Sequence, residues 1–124
     1  KARCVSCHAE PFFTDFSYRS NGLDLQSADE GRSHITGSAT DFGKFRVPTL
    51  RNIEYTSPYM HDGRFYSLDE VLEHYNAGVK PAANLDPLLK NGIPLSTLEK
   101  EQIKAFLKTL TDHEFIKNTL FSES

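Results

Sequence analysis

Two stretches of the chain carry apolar residues at the period of a helix. Leu68, Val71, Leu72 and Tyr75 fall at i, i+3, i+4 and i+7 and share one face. Ser67 and Glu70 ahead of them form a capping-box pattern, in which two side chains satisfy amide donors that a first helical turn leaves unpaired. Asn76-Ala77-Gly78 ends this helix, with Gly78 near the C′ position and Pro81 barring continuation. Ser96 with Glu99 opens a second helix, where Ile103, Phe106, Leu107 and Leu110 repeat the spacing and which should run to about Thr111. Beyond Asp112 the segment through Phe121 is weakly amphipathic, suited to dock or to fray.

Elsewhere the periodicity is lost. From Asp15 to Lys44 the chain is rich in Ser, Gly and Asp, with Gly22, Gly31, Gly37 and Gly43 spaced as turn residues. An irregular excursion beyond ~12 to 15 residues is uncommon unless it is functional or wrapped on something. Thr49 to Ile53 suits one helical turn, which Thr56-Ser57-Pro58 closes because a residue before proline avoids the helical region. Pro81 to Pro94 reads as loop, and strand signals are poor throughout. The expected class is therefore all-α with long irregular loops.

Size and charge narrow the function. At 124 residues the chain suits one domain spanning 1–124. Hydrophobic residues are 38% and charged residues 25%, a modest core that a bound group could complete. With a net charge of −3 and basic residues dispersed, nothing draws a polyanion, so nucleic acid is not an expected partner. No run approaches the ~18 apolar residues of a membrane span. The opening Lys1-Ala2-Arg3 carries no apolar signal segment, as expected of a processed or cut chain.

Chemistry concentrates at the front. Cys4-Val5-Ser6-Cys7-His8 is the C-x-x-C-H pattern of covalent haem attachment. Two thiols at this spacing can each add to one porphyrin vinyl group, and His8 then presents a neutral imidazole nitrogen to the iron. A thioredoxin-type pair needs a βαβ context that is missing, and a zinc site needs four ligands where only His34, His61, His74 and His113 are scattered along the chain. Two idle thiols are the remaining alternative. Thioether attachment needs reduced thiols and export, which implies a periplasmic or equivalent location. Haem would bury apolar ring surface at about 25 cal/mol per Å², so the haem-free chain should be largely unfolded.

The second axial ligand is open at this point. Met60 is the only methionine, and a thioether there would raise the potential, although most methionines fill cores. Tyr75 lies on the apolar stripe of the capped helix, where a phenolate can ligate ferric iron and where an inward tyrosine hydroxyl more commonly finds a backbone partner. His61 and His74 are further candidates, but His74 lies about 100° round the helix from Tyr75 and should be the more exposed. Spacing does not decide between Met60 and Tyr75. Arg46, Arg51 and Arg64 can each neutralise a haem propionate, and Arg51 is favoured because its segment must pack close to the haem. Phe12, Phe13, Phe16 and Tyr18 suit a haem wall or core, and without tryptophan there is no indole relay.

Taken together, Cys4 to Pro11, Phe45-Arg46-Val47-Pro48-Thr49-Leu50-Arg51-Asn52-Ile53, Pro58-Tyr59-Met60-His61-Asp62-Gly63 and Ala105-Phe106-Leu107-Lys108-Thr109-Leu110-Thr111 resemble the C-terminal haem domain of di-haem cytochrome c peroxidases and their MauG-type relatives. The likeness spans nearly the whole chain. It implies a cytochrome c-like helical fold holding one covalent haem c, in a domain that takes in or stores electrons while peroxide reacts at the N-terminal haem. It also implies Tyr75, fourteen positions beyond His61, as the distal ligand, with Met60 as the alternative. An anionic oxygen there favours ferric and higher oxidation states. The resemblance further implies a calcium ion between domains, held partly by the backbone carbonyls of Thr56 and Pro58. The implied partners are the N-terminal haem domain, on this protein or another chain, and a redox protein as electron donor, with room for a homodimer. Full family members carry that domain and a helix ahead of the cysteines, so a cut piece or a second chain bearing those parts is expected. The alternative function is a mono-haem cytochrome c shuttle with His8 and Met60 as ligands.

Overall fold

The computed structural model describes residues 2–121. Four α-helices are present, α1 (Ser33–Thr36), α2 (Leu68–Glu73), α3 (Thr97–Lys108) and α4 (His113–Lys117), together with short 3₁₀ turns and a two-stranded sheet of β1 (Tyr18–Arg19) and β2 (Phe45–Arg46). Both expected capping boxes form. Ser67 Oγ accepts from the Glu70 amide at 3.2 Å while Glu70 accepts from the Ser67 amide at 2.9 Å, and Ser96 with Glu99 repeats the arrangement. These reciprocal bonds fix where α2 and α3 begin.

The purely helical expectation needs one correction. Within the irregular excursion β1 pairs antiparallel with β2, Tyr18 opposite Arg46 and Arg19 opposite Phe45. Strands of two residues are too short for a period of two to show in the sequence. Close approaches of backbone order the rest of the excursion. Gly31 has φ +59°, and a Cβ there would stand 2.4 Å from the Lys44 carbonyl oxygen, so only glycine permits this crossing. Gly22 has φ +65°, and its missing Cβ would meet the Lys80 carbonyl at 2.6 Å.

Further elements differ in detail. The turn expected over Thr49–Ile53 lies at Ile53–Tyr55, led by Asn52 in the left-handed region at φ 58°. Asn52 is held there from afar: its amide donates to Leu110 O at 3.0 Å, and its Oδ1 accepts from the Asp112 amide at 2.7 Å. The helix over 67–78 reaches Gly78, but its last part, His74–Gly78, is a π turn. The expected loop at 81–94 contains a 3₁₀ turn, Pro87–Leu89, capped by Asp86. Asp112 caps α4 through the amides of Glu114 and Phe115, and Phe115 stacks on Phe121 with centroids 5.1 Å apart.

The apolar core is thin. Leu23, Val47, Leu72 and Leu107 are buried, one each from the excursion, the segment after β2, α2 and α3, and among the described residues no large side chain is wholly inaccessible. Phe106, on the expected α3 stripe, is 51% exposed and touches Phe13 edge-on at 6.5 Å. Lys100 pairs with Glu73, and Lys104 reaches Asp69 at 2.7 Å, bridging α3 to α2. Such exposed pairs contribute ~0–1 kcal/mol, so Leu72 and Leu107 decide the packing.

A half-buried ionic cluster joins β1 to the 3₁₀ turn. Arg19 donates to Asp86 at 2.6 Å and to Asp15 at 2.8 Å. Burial raises the Asp15 carboxyl, but the Ser17 hydroxyl and amide and the Arg19 guanidinium outweigh it and hold it at about 2.

Two outcomes test this packing. Leu72→Ala should lower the unfolding free energy of the matured protein by ~2–5 kcal/mol, and Ser67→Ala by about 1 kcal/mol, read by denaturant unfolding. Because Asp15 is depressed below its ordinary 3.8, the folded state binds fewer protons than the unfolded chain. Its contribution is complete above pH ~4 and lost as pH falls toward ~2. Asp15→Asn should flatten that limb of the stability curve, and an unchanged acid slope would contradict the assignment.

Candidate haem-binding site

The C-x-x-C-H segment begins with Arg3 in the left-handed region at φ 52°, followed by a 3₁₀ turn over Cys4–Ser6. The amides of Cys7 and His8 both return to Cys4 O, at 3.2 and 2.9 Å, so both thiols and the imidazole hang on a single turn. The thiols are unpaired; Cys4 is exposed and Cys7 half-buried. Desolvation of the sulfurs pushes both thiols up from their ordinary value, against the lowering influence of Arg19 at Cys7. Thiols held protonated resist oxidation.

His8 is the most constrained side chain of the segment. Its Nδ1 lies 3.0 Å from Phe13 O and 3.1 Å from Pro48 O. Carbonyls only accept, so Nδ1 carries the proton and donates to both, leaving Nε2 with a free lone pair. Among the described residues Nε2 has no hydrogen-bond partner. This is the tautomer that a metal-ligating histidine requires.

Residues 47–51 hold those carbonyls in place. Thr14 Oγ1 donates to Val47 O at 2.7 Å, Thr49 Oγ1 to Phe12 O at 2.6 Å, and Arg51 Nη2 to Pro11 O at 2.7 Å. Arg51 also lies over the Phe12 ring, 5.5 Å from its centroid. Phe13 takes φ 52°, which turns its carbonyl toward the imidazole ring. Thr14 and Thr49 carried no chemical signal in the sequence.

The expected distal candidates lie near one another. Asn21 Nδ2 donates to Met60 Sδ at 3.3 Å, and Met60 stands at φ 72°. Burial pushes the Tyr75 phenol up, and a hydrogen bond from the Asn21 side chain opposes that shift. The Cys4 and Cys7 thiols add to the upward shift. Asn21 was not legible as a site residue, since an Asn-Gly pair signals only a turn.

The remaining candidates are elsewhere or engaged. His74 corrects the expectation of exposure: it is 5% exposed, with Nε2 3.0 Å from Asn21 O and its ring 5.2 Å from that of Tyr75. The expectation assumed α geometry, whereas His74 opens an i→i+5 turn and is drawn inward to the Asn21 carbonyl. Burial lowers the His74 imidazole below its ordinary value, partly offset by the Asn21 carbonyl. His61 is exposed and stacked on Phe45, centroids 3.8 Å apart. Arg64 is chelated by Asp24 at 2.6 and 2.9 Å and by Asp62 at 2.7 Å, and Arg46 lies over Phe16. Thr56 and Pro58 are exposed in the turn after Ile53–Tyr55. Among the described residues no three His, Cys, Asp or Glu side chains are grouped to hold a metal ion.

The residues present fit a covalently held haem: two accessible thiols on one turn, an imidazole with Nε2 free, and a polypeptide core too thin to need no other apolar partner. No helix among the described residues is long and apolar enough to cross a membrane.

No protein-family model matches the chain. It is 32% identical to the cytochrome-c peroxidase IdrP1 of Pseudomonas sp. strain SCT over 92% of its own length and 38% of that protein. With the methylamine utilization protein MauG of Methylorubrum extorquens it shares 36% identity over 89% of this chain and 31% of the relative. The chain thus spans less than half the length of these relatives. A MauG-like protein associated with microbial copper homeostasis superposes with a TM-score of 0.89 at 35% identity, covering 98% of this chain and 46% of that one. The diheme peroxidase BthA of Burkholderia thailandensis shares the fold, with a TM-score of 0.71 at 21% identity. Likeness of sequence over nine-tenths of the chain, together with the shared fold, makes this chain a member of the cytochrome c peroxidase/MauG family.

Proposed function

We propose that this chain is the electron-transfer c-type haem domain of an exported di-haem oxidoreductase, one that passes or stores oxidising equivalents for a peroxide-reacting haem in another domain. One observation carries the reading. His8 directly follows the two thiols, and its Nδ1 proton is committed to Phe13 and Pro48 carbonyls so that Nε2 is available to iron. When bound, the haem supplies one-electron exchange at its iron.

The chain's own residues have separable tasks. Each thiol, Cys4 and Cys7, adds across one vinyl group. The S–H bond breaks, an S–C bond forms, the hydrogen goes to the neighbouring carbon, and no electrons leave. His8 is the proximal ligand. Tyr75 would hold the iron through its phenol oxygen. Arg51 keeps guanidinium donors beyond the one spent on Pro11 O, and these suit a haem propionate. The carbonyls of Thr56 and Pro58 contribute to a calcium site completed by another domain. The partners are that second haem domain and a redox protein donor, in the periplasm.

A mono-haem shuttle with His8 and Met60 ligation is the second reading. It is favoured by the position of the Met60 sulfur, 3.3 Å from the amide of Asn21, whose carbonyl bonds His74 beside Tyr75.

Protein matured with attachment machinery should show one haem mass on the intact chain and a c-type pyridine haemochrome, and Cys7→Ala should lose one thioether. A matured chain of unmodified mass would reject the proposal. Tyr75→Phe should abolish the tyrosinate-to-iron absorption and raise the midpoint potential, because a neutral or absent ligand no longer favours ferric iron. A parental spectrum in Tyr75→Phe, with a sulfur-to-iron band lost in Met60→Leu, would establish the shuttle reading instead.

A further inference from the structure

The ribbon of β1 and β2 has two unlike faces. Side chains alternate along a strand, so Tyr18 and Arg19 point to opposite sides, and Arg19 is committed to Asp15 and Asp86. Tyr18 stands across the ladder from Arg46, which puts those two on one face, and both are exposed. From this face runs a row in which arginines and aromatic rings interleave. Arg32 lies over the Tyr18 ring at 4.1 Å, Arg46 over Phe16 at 5.2 Å and Arg51 over Phe12 at 5.5 Å, and the rings of Phe12 and Phe16 are 5.8 Å apart. All the arginine–ring stacks among the described residues belong to this row, and Phe12 and Phe16 are 53% and 50% exposed.

The row is positive on a chain whose net charge is −3. Among the described residues Arg46 and Arg51 have no carboxylate partner. Arg32 shares Asp41 with Lys44, at 3.4 and 3.8 Å, so one carboxylate faces two cations. A guanidinium stacked on a ring has given up rotamer freedom before any partner arrives, and its edge stays free to fork onto a carboxylate. Arginine and aromatic side chains are also the types that dominate binding energy at protein interfaces. Lipid headgroups and nucleic acids are instead met by blocks of Lys and Arg, which this sequence lacks. Phe12 adjoins Phe13, whose carbonyl accepts the His8 Nδ1 hydrogen bond at 3.0 Å. A molecule seated on Phe12 is therefore one residue and one hydrogen bond from the proximal imidazole.

We propose that Phe12, Phe16, Tyr18, Arg32 and Arg46 form the docking surface for the electron donor, a one-electron redox protein with a carboxylate-rich patch beside its own redox centre. Arg51, already assigned to a propionate, is left out of it. The inference rests on the haem-domain reading above and adds the donor's chemistry and its place of contact. Opposite charge steers the encounter, and the rings supply apolar area. One electron then passes from the reduced partner to ferric iron, with no atom transferred.

The test mixes the matured ferric protein with an oxidised probe, so that no electron can pass, and reads binding by titration calorimetry at low and high salt. The probes are an acidic plant-type ferredoxin and a basic cytochrome c. The ferredoxin should bind at low salt and weaken as salt rises, while the cytochrome should not bind. Arg46→Glu should weaken ferredoxin binding about tenfold or more. Lys117→Glu, the same change of net charge placed on α4, should leave it at the parental value. With the ferredoxin reduced, rates of haem reduction should follow the same order, whereas a small neutral deazaflavin radical should reduce all three proteins equally. If Arg46→Glu does not mature, Arg46→Gln is read in its place. A parent that does not bind the ferredoxin, equal binding in Arg46→Glu, or equal weakening in Lys117→Glu overturns the docking surface. Binding to anionic phospholipid vesicles in place of the ferredoxin assigns the row to a membrane and overturns it as well. Failure of the haem reading is told apart by mass: a matured chain without haem rejects that reading, and the donor role with it, whatever the chain binds.

Discussion

An imidazole can ligate a metal through one nitrogen only if the other nitrogen holds the proton and the ring is kept from turning. In this protein the shared hydrogen bond from His8 Nδ1 to the carbonyls of Phe13 and Pro48 meets both conditions. Those carbonyls come from segments far apart in sequence, so the arrangement requires 11–14 and 47–51 to lie side by side. Thr14 and Val47, Thr49 and Phe12, and Arg51 and Pro11 supply that apposition one bond at a time. The second segment therefore serves the first: it presents one carbonyl directly and locks the loop that presents the other. Arg51 has a positional task in this scheme before any contact with a propionate.

The opposite side is organised by where a helix begins. The Ser67 capping box fixes the first turn of α2, Leu72 anchors it in the thin core, and the register then brings His74 and Tyr75 to the end of the helix. There the chain changes to an i→i+5 turn. In α geometry two successive residues diverge and one of them faces solvent. In the π turn His74 reaches Asn21 O with the Tyr75 ring edge-on beside it. Ile93 and Leu95 close this end by donating to Tyr75 O at 2.8 Å and to Asn76 Oδ1 at 2.9 Å.

What could be read from the sequence was what is decided locally. The capping boxes and the two apolar stripes each lie within a few residues; both boxes form and Leu72 and Leu107 of the stripes are buried, while Phe106 is exposed and α3 stops at Lys108, short of Thr111. The β1–β2 pair, the left-handed Asn52 and the inward His74 depend on partners dozens of positions away. Asn52, for example, is held by Leu110 and Asp112. No local pattern encodes such a partner. The convergence of Asn21 with Met60 was hidden for the same reason. Arg64 misled in the opposite direction, since an arginine in a loop does not announce that Asp24 and Asp62 already claim it.

The thin core and the locked imidazole have a common consequence. With four buried apolar side chains among the described residues, drawn from four separate segments, hydrophobic burial alone holds little of this fold together, and hydrogen bonds between loops carry more of the order than in a helical bundle. Loop-to-loop bonds are individually weak, and each depends on the others keeping their geometry. In the proposed reading a covalently attached apolar plane, ligated by His8 from the 4–8 turn and by Tyr75 from the end of α2, joins the two regions that the polypeptide connects least. Attachment is then a folding step as well as a chemical one. The thioethers make it permanent, so the stability contributed by the group cannot be lost by dissociation, as it can be for a reversibly bound ligand at low concentration.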